Sequence, residues 1–408
     1  MRYFAKTDFW KSGGPIYLFL GGEGEASPNF LNTGIMYELA KETNGAMYAS
    51  EHRYYGKSMP VQGTSVENFK YLSVYQALED NAHLLRIIKL NPIFYKSKII
   101  VIGGSYAGNL AAWMRLLYPE LVYAAIASSA PVLAKKDFYE YLETVNEVYG
   151  KYGTDDCLNE INQRFIQYET MFETADGIEK LKEEENICND VDMSIPENKQ
   201  LFFLDKASKF MSNTQYGTIT VIKDHCAKLN ENPKELNIYG PSFYRDTARC
   251  YNYDFNYMIN QTYKNQMTAY ACWLYQTCTT FGYFQSTSSR KQPFTNNVPV
   301  EFYVKMCTST FGSKFNDNFI EDGIELVNKM FGGLRPNVTK VVFVNGDMDP
   351  WSKLSVLKNI SSETPAIFIP RSSHCRDLFS NREGDHEELK EARKNIKDLI
   401  KNWIGAEE

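Results

Sequence analysis

The run Ile100-Val101-Ile102-Gly103-Gly104-Ser105-Tyr106-Ala107-Gly108 constrains this chain more than any other. An apolar β-branched strand enters a turn of small residues around one serine. A helical pattern over 107–118 leaves the turn and is stopped by Pro119. Only small neighbours let a residue at such a turn adopt the strained backbone that lifts its side chain above a parallel sheet. The following helix aims its N-terminus at the serine, which favours developing negative charge. Ser105 is therefore a candidate nucleophile, with the Tyr106 N–H as one oxyanion donor. The strict Gly-x-Ser-x-Gly pattern ends in Ala107 rather than glycine, small enough to be a variant. The bland alternative is an ordinary glycine-rich strand–helix turn that cradles a phosphate.

Around this turn the chain alternates strands and helices. Residues 15–20, 46–50, 98–102 and 123–127 read as strands, and 73–89 as a helix. Such alternation argues for a mostly parallel α/β sheet. The character changes after Pro131. Residues 135–298 are mainly helical, with an acidic run at Glu183-Glu184-Glu185 and a tyrosine-rich zone over 239–283. The α/β pattern then returns, with strands at 340–344 and 366–369 and a long amphipathic helix over 386–404. At 408 residues the chain exceeds the roughly 250–300 that one core supports. The expected organisation is an α/β core over 1–134 and 310–408, interrupted by a helical cap over 135–309.

Lys+Arg number 44 and Asp+Glu 50, a net charge of −6, which gives no electrostatic footprint for nucleic acid or an anionic membrane. No apolar run approaches the ~18–20 residues of a membrane span. Seven of the eight cysteines lie between positions 157 and 307 and none forms a Cys-x-x-Cys pair, which fits disulfides formed in an oxidising compartment better than a metal ribbon. Sequons at Asn260, Asn337 and Asn359 agree with a secreted or lysosomal glycoprotein. The opening residues Met1-Arg2-Tyr3-Phe4 lack a signal-peptide pattern, so the expectation is a chain whose leader is missing. HExxH is absent and the histidines are scattered, so no metal or other cofactor is implied.

A nucleophilic serine needs a base and an orienting carboxylate. Among His52, His83, His225, His374 and His386, His374 lies on a loop after the strand 366–369, and His52 is its rival after 46–50. Asp347 and Asp349 both sit in the loop after 340–344. The order Ser, Asp, His is that of α/β-hydrolases. A second oxyanion donor is expected from Gly22 or Glu23 after the strand 15–20, where glycines let backbone N–H groups approach a reacting oxygen.

Gly-Gly-Ser-Tyr-Ala-Gly, Asn-Gly-Asp-Met-Asp-Pro-Trp and Ser-His-Cys-Arg-Asp resemble the catalytic blocks of the family of lysosomal Pro-X carboxypeptidase, dipeptidyl peptidase II and thymus-specific serine protease. Glu51-His52-Arg53-Tyr54-Tyr55-Gly56 and Trp273-Leu274-Tyr275-Gln276-Thr277-Cys278 match too, so the resemblance spans nearly the whole chain and is nearest the thymus-specific branch. It implies an α/β-hydrolase core under a disulfide-bonded cap, with Ser105 as nucleophile, His374 as base and Asp349, the acid before Pro-Trp, as its orienter. It implies peptide substrates cut near a terminus, often after proline, with Trp351 lining the proline pocket, and it is compatible with a homodimer. Asn109 stands where proline-specific members carry an apolar Met, which changes that pocket. The same resemblance suggests the pairs Cys157–Cys226, Cys188–Cys250 and Cys278–Cys307. It leaves Cys272 and Cys375 either bonded to each other or free. Family chains also carry a further strand-containing segment before Arg2, so the sheet here is expected to have an exposed edge.

Overall fold

The computed structural model describes residues 1–61, 66–231, 250–264 and 268–405. The parts of the tyrosine-rich zone at 239–249 and 265–267 lie outside them. In chain order the strands are β1 (Tyr3–Lys6), β2 (Ile16–Phe19), β3 (Ala46–Ser50), β4 (Ile99–Gly104), β5 (Ala124–Ser128), β6 (Lys135–Asp137), β7 (Gly282–Phe284), β8 (Val341–Gly346) and β9 (Ala366–Ile369). Seven of them form one sheet in the order β1-β3-β2-β4-β5-β8-β9, parallel throughout except for β1.

Strands β3, β4, β5 and β8 are buried almost end to end. That is why they read as continuous apolar runs and not as alternating ones. Helices supply the covering layers. Helix Val74–Lys89 starts where the Ser73 side chain accepts the Gln76 N–H, an N-cap. Helix Glu387–Gly405 packs Leu389, Ala392, Ile396 and Ile400 into the cluster that holds Ile100, Ile126 and Val342.

The strand order places the site. β4 follows β3 in sequence but pairs with the other side of β2. Ligands of open parallel sheets bind at the carboxyl ends of strands beside such a reversal. β2 and β4 run in register, Phe19 against Ile102, and the Leu20 N–H donates to the Ile102 carbonyl at 2.8 Å. The loop after β2 and the Ser105 turn therefore leave the sheet side by side.

The chain divides into two compact units, Met1–Ala134 with Gln266–Gln276 and Gly323–Glu408, and Lys135–Asn265 with Thr277–Asp322. The first holds the seven-stranded sheet. Among the described residues the second is built mainly of helices with the β6–β7 pair, and it contains the disulfides Cys157–Cys226, Cys188–Cys250 and Cys278–Cys307. These are the three pairs that the resemblance suggests. The expected boundaries differ in two places: 266–276 belongs with the sheet and 310–322 with the helical unit. Helix Ala269–Gln276 carries Trp273 against Tyr106 and Gln276 against the Tyr55 hydroxyl, contacts far apart in sequence that no local pattern reveals.

Candidate active site

Ser105 sits at φ 57°, in the left-handed region that a non-glycine residue adopts only where the surroundings enforce it. The enforcement is visible in its neighbours. A Cβ on Gly103 would lie 1.9 Å from the Ala107 carbonyl oxygen, and one on Gly108 would lie 2.7 Å from the Ser128 carbonyl oxygen. Ala107 is buried, and a Cβ on Gly22 of the β2 loop would stand 3.5 Å from its methyl group, so the loop passes close to the turn. The Ser105 N–H donates to the Ser128 carbonyl at 2.9 Å, which fixes the turn to the end of β5. Helix Tyr106–Leu117 begins at the next residue, so the first N–H groups of a helix surround the serine.

His374 and Asp349 leave the ends of β9 and β8. His374 Nδ1 lies 2.9 Å from both Asp349 oxygens, and both side chains are buried. Asp349 also caps the turn Pro350–Leu354 by accepting the Trp351 N–H at 3.0 Å, so its carboxylate is held before it meets the imidazole. Asp349 is therefore the acid that reaches His374; Asp347 stands two residues earlier, with its N–H on the Ile369 carbonyl. Burial disfavours the imidazolium, but Asp349 and then Cys375 outweigh it and hold His374 well above the ordinary imidazole range.

His52, the rival base, is committed elsewhere. Its Nδ1 donates to the Arg53 carbonyl at 2.7 Å, and its Nε2 faces the Tyr106 hydroxyl at 2.9 Å. Burial pushes it down to about 4, so it is a neutral acceptor that orients Tyr106. His83 is exposed on its helix, and His225 belongs to the helical unit, where it meets Tyr149 and Asn213.

The loop after β2 is pinned by a carboxylate that the sequence did not single out. Glu51 is buried and accepts the Ala26 N–H at 3.1 Å, the Lys57 N–H at 3.0 Å and the Ser58 hydroxyl at 2.6 Å, and it pairs with Arg2. Burial opposes its charge, yet Ser58, Arg2 and the two N–H groups hold it below the usual carboxylate range. Glu51 thereby ties the segment after Gly22 and Glu23 to β1 and β3. Glu23 itself is partly exposed; burial pushes its carboxyl up, against its own N–H and the nearby His374.

Trp351 is buried beside Asp349. Asn109 is wholly buried, and its amide donates to the Pro131 carbonyl at 3.1 Å, which offsets the cost of burying it. Its N–H also reaches the Ser105 carbonyl at 3.3 Å, in the first turn of the helix that follows the serine. Cys272 and Cys375 are both free, so the pairing left open above does not form. Cys272 is buried with its thiol toward the Tyr54 carbonyl, and burial pushes it up to about 12. Asn260, Asn337 and Asn359 are all exposed.

A family model described as Serine carboxypeptidase S28 matches residues 1–396. The chain belongs to this family. A Caenorhabditis elegans protein assigned to the serine proteases is 32% identical over 99% of this chain and 84% of its own length. Mouse thymus-specific serine protease is 29% identical over 96% of this chain and 80% of its own. Human lysosomal Pro-X carboxypeptidase is 28% identical, covering 99% and 84%. Among solved structures, a Mycobacterium smegmatis proline iminopeptidase covers 98% of this chain and 94% of its own at 10% identity, with a TM-score of 0.42. The parallel sheet and its serine turn are those of an α/β-hydrolase, and the S28 chain described here is a serine peptidase.

Proposed function

We propose that this S28 peptidase hydrolyses peptides near a chain end through Ser105, His374 and Asp349. The carrying observation is the pairing of His374 with Asp349 on loops neighbouring a serine held at positive φ. His374 takes the hydroxyl proton as Ser105 Oγ attacks the carbonyl carbon. The N–H of Tyr106 and one from Gly22 or Glu23 receive the oxyanion. The imidazolium, steadied by Asp349, then protonates the leaving amine, and water repeats the sequence on the acyl-enzyme. The test is labelling by a fluorophosphonate probe. The wild-type chain labels and Ser105→Ala does not; a folded wild-type chain that fails to label would sink this reading.

The side chains around the site favour the amino end of the substrate. Arg53, a cation on the loop after β3, is spent on Asp80 at 2.7 Å and on the Tyr71 carbonyl at 2.9 Å. Glu25 pairs with Arg2 at 2.8 Å. Glu23 makes no ion pair among the described residues, and its carboxylate suits a substrate ammonium. Peptides with a free amino terminus should be cleaved at least about tenfold faster than their acetylated counterparts, the discrimination expected when a charged partner is removed. Equal rates would exclude this assignment and leave the carboxyl end. Exposed sequons and the bonded cysteines support a secreted or lysosomal glycoprotein, which a glycosidase-sensitive mass shift in a eukaryotic host would test.

A further inference from the structure

Three residues beyond His374, the short turn Arg376–Leu378 carries a buried carboxyl that the mechanism above does not use. Asp377 is 3% exposed; its Oδ1 accepts the Ser128 hydroxyl at 2.5 Å and its Oδ2 has no hydrogen-bond partner. Ser128 ends β5, and its carbonyl is the group that receives the Ser105 N–H. The next residue, Ser129, accepts the Cys375 N–H on its hydroxyl at 2.9 Å. One strand end thus holds the nucleophile's backbone on one side and the histidine's loop on the other. The two are also in direct contact: a Cβ on Gly104 would lie 2.7 Å from Leu378 Cδ1 and 2.9 Å from Cys375 Sγ.

The charged groups that face Asp377 come from two elements. Arg393, on the last helix, donates to Asp385 at 2.6 Å and to the Arg376 carbonyl at 2.7 Å. From its own loop Asp377 meets His374, with Cys375 beside it, while Arg376 is turned to Asp385 at 3.1 Å. β5 and the residue after it bring the hydroxyls of Ser128 and Ser129.

We propose that Asp377 is a positioning residue for the acyl transfer: through Ser128 it fixes the serine turn against the His374 loop, and its negative charge steadies the imidazolium that forms there. This rests on the Ser105–His374–Asp349 reading. Burial pushes Asp377 up to about 6, against Ser128, its own N–H, Arg393 and His374. The charge is therefore present above that pH and absent below it, so the two parts of the role separate by pH.

The experiment measures the rate of fluorophosphonate labelling from pH 4.5 to 8.5 in the full chain. Asp377→Asn keeps an acceptor for Ser128 and removes the titration. It should label within about threefold of wild type at pH 5 and about tenfold more slowly at pH 8, as expected for two coupled groups. Ser128→Ala and Asp377→Ala break the tie and should label about 10–100-fold more slowly at both pH values, the cost of sub-ångström misplacement. Should Asp377→Ala fail to fold, Ser128→Ala carries that arm. A wild-type to Asp377→Asn ratio that does not change with pH, or a Ser128→Ala variant that labels at the wild-type rate, overturns the proposal. A folded wild-type chain that does not label at all would instead fail the peptidase reading.

Discussion

His52 and His374 both stand on loops that follow strands, yet their partners drive them in opposite directions. His52 meets a carbonyl and a phenol, and burial leaves it neutral down to about 4. His374 is equally buried but faces Asp349, and with Cys375 that carboxylate holds it well above 6.5. A general base must be neutral to take the Ser105 proton. The rate should therefore rise with pH along a limb that lies above the ordinary imidazole value, and a limb at or below pH 6 in the labelling profile of Asp377→Asn, where His374 titrates without that carboxyl, would contradict the Asp349 contact. The stability consequence has the matching sign. A histidine raised in the folded state contributes fully below its unfolded pKa, and that contribution is lost as pH rises through the raised value. Asp349→Asn should lower kcat by about 10³–10⁴-fold, the effect of losing the group that fixes the imidazole tautomer. Asp347→Asn should remain within a few-fold of wild type. From residues alone both aspartates qualified; a loop's fold, not its composition, decides which carboxylate reaches across to the next strand.

At the scale of elements, the serine turn depends on backbone atoms approaching where a side chain would stand. Gly103→Ala places a methyl group 1.9 Å from one backbone atom and 2.3 Å from another, neither of which is a flexible chain end. It should abolish labelling and lower stability by about 2–4 kcal/mol, as strain and overpacking at a fixed backbone do. Gly24→Ala, with nothing within 4 Å of the new methyl group, is the control and should leave Tm unchanged within about a degree. The central strands and the serine turn were legible because burial on both faces writes an apolar run, and because strain demands small residues in a fixed order. β1 was not legible. It is four residues long, only partly buried and on the sheet edge, so its composition carries no alternation strong enough to see. The Glu51 hub was invisible for another reason: its partners at residues 2, 26, 57 and 58 converge only after the sheet has formed. Asp377 was hidden in the same way, as one aspartate in a loop quoted for its histidine.

For the whole molecule, the division of labour between the two units is written in the cysteines. All three disulfides lie in the helical unit and the sheet unit has none among the described residues. The sequence separations bridged are 69, 62 and 29 residues. By chain entropy each loop of that size restricts the unfolded ensemble by about 4 kcal/mol. The sheet unit draws its stability instead from strands buried almost end to end and from the helices that cover them. Reduction should therefore act on one unit selectively. In calorimetry with and without a phosphine reductant, the transition of the helical unit should move down by many degrees while fluorophosphonate labelling of Ser105 persists at temperatures below it. Cys278→Ala with Cys307→Ala, which opens the shortest loop, should reproduce a smaller part of that shift than Cys157→Ala with Cys226→Ala, which opens the longest. Both outcomes follow from loop length alone. A single transition that falls with reductant together with Ser105 labelling would mean that the units unfold as one, and that the reactivity of the serine depends on the bonded helices as well as on its own sheet.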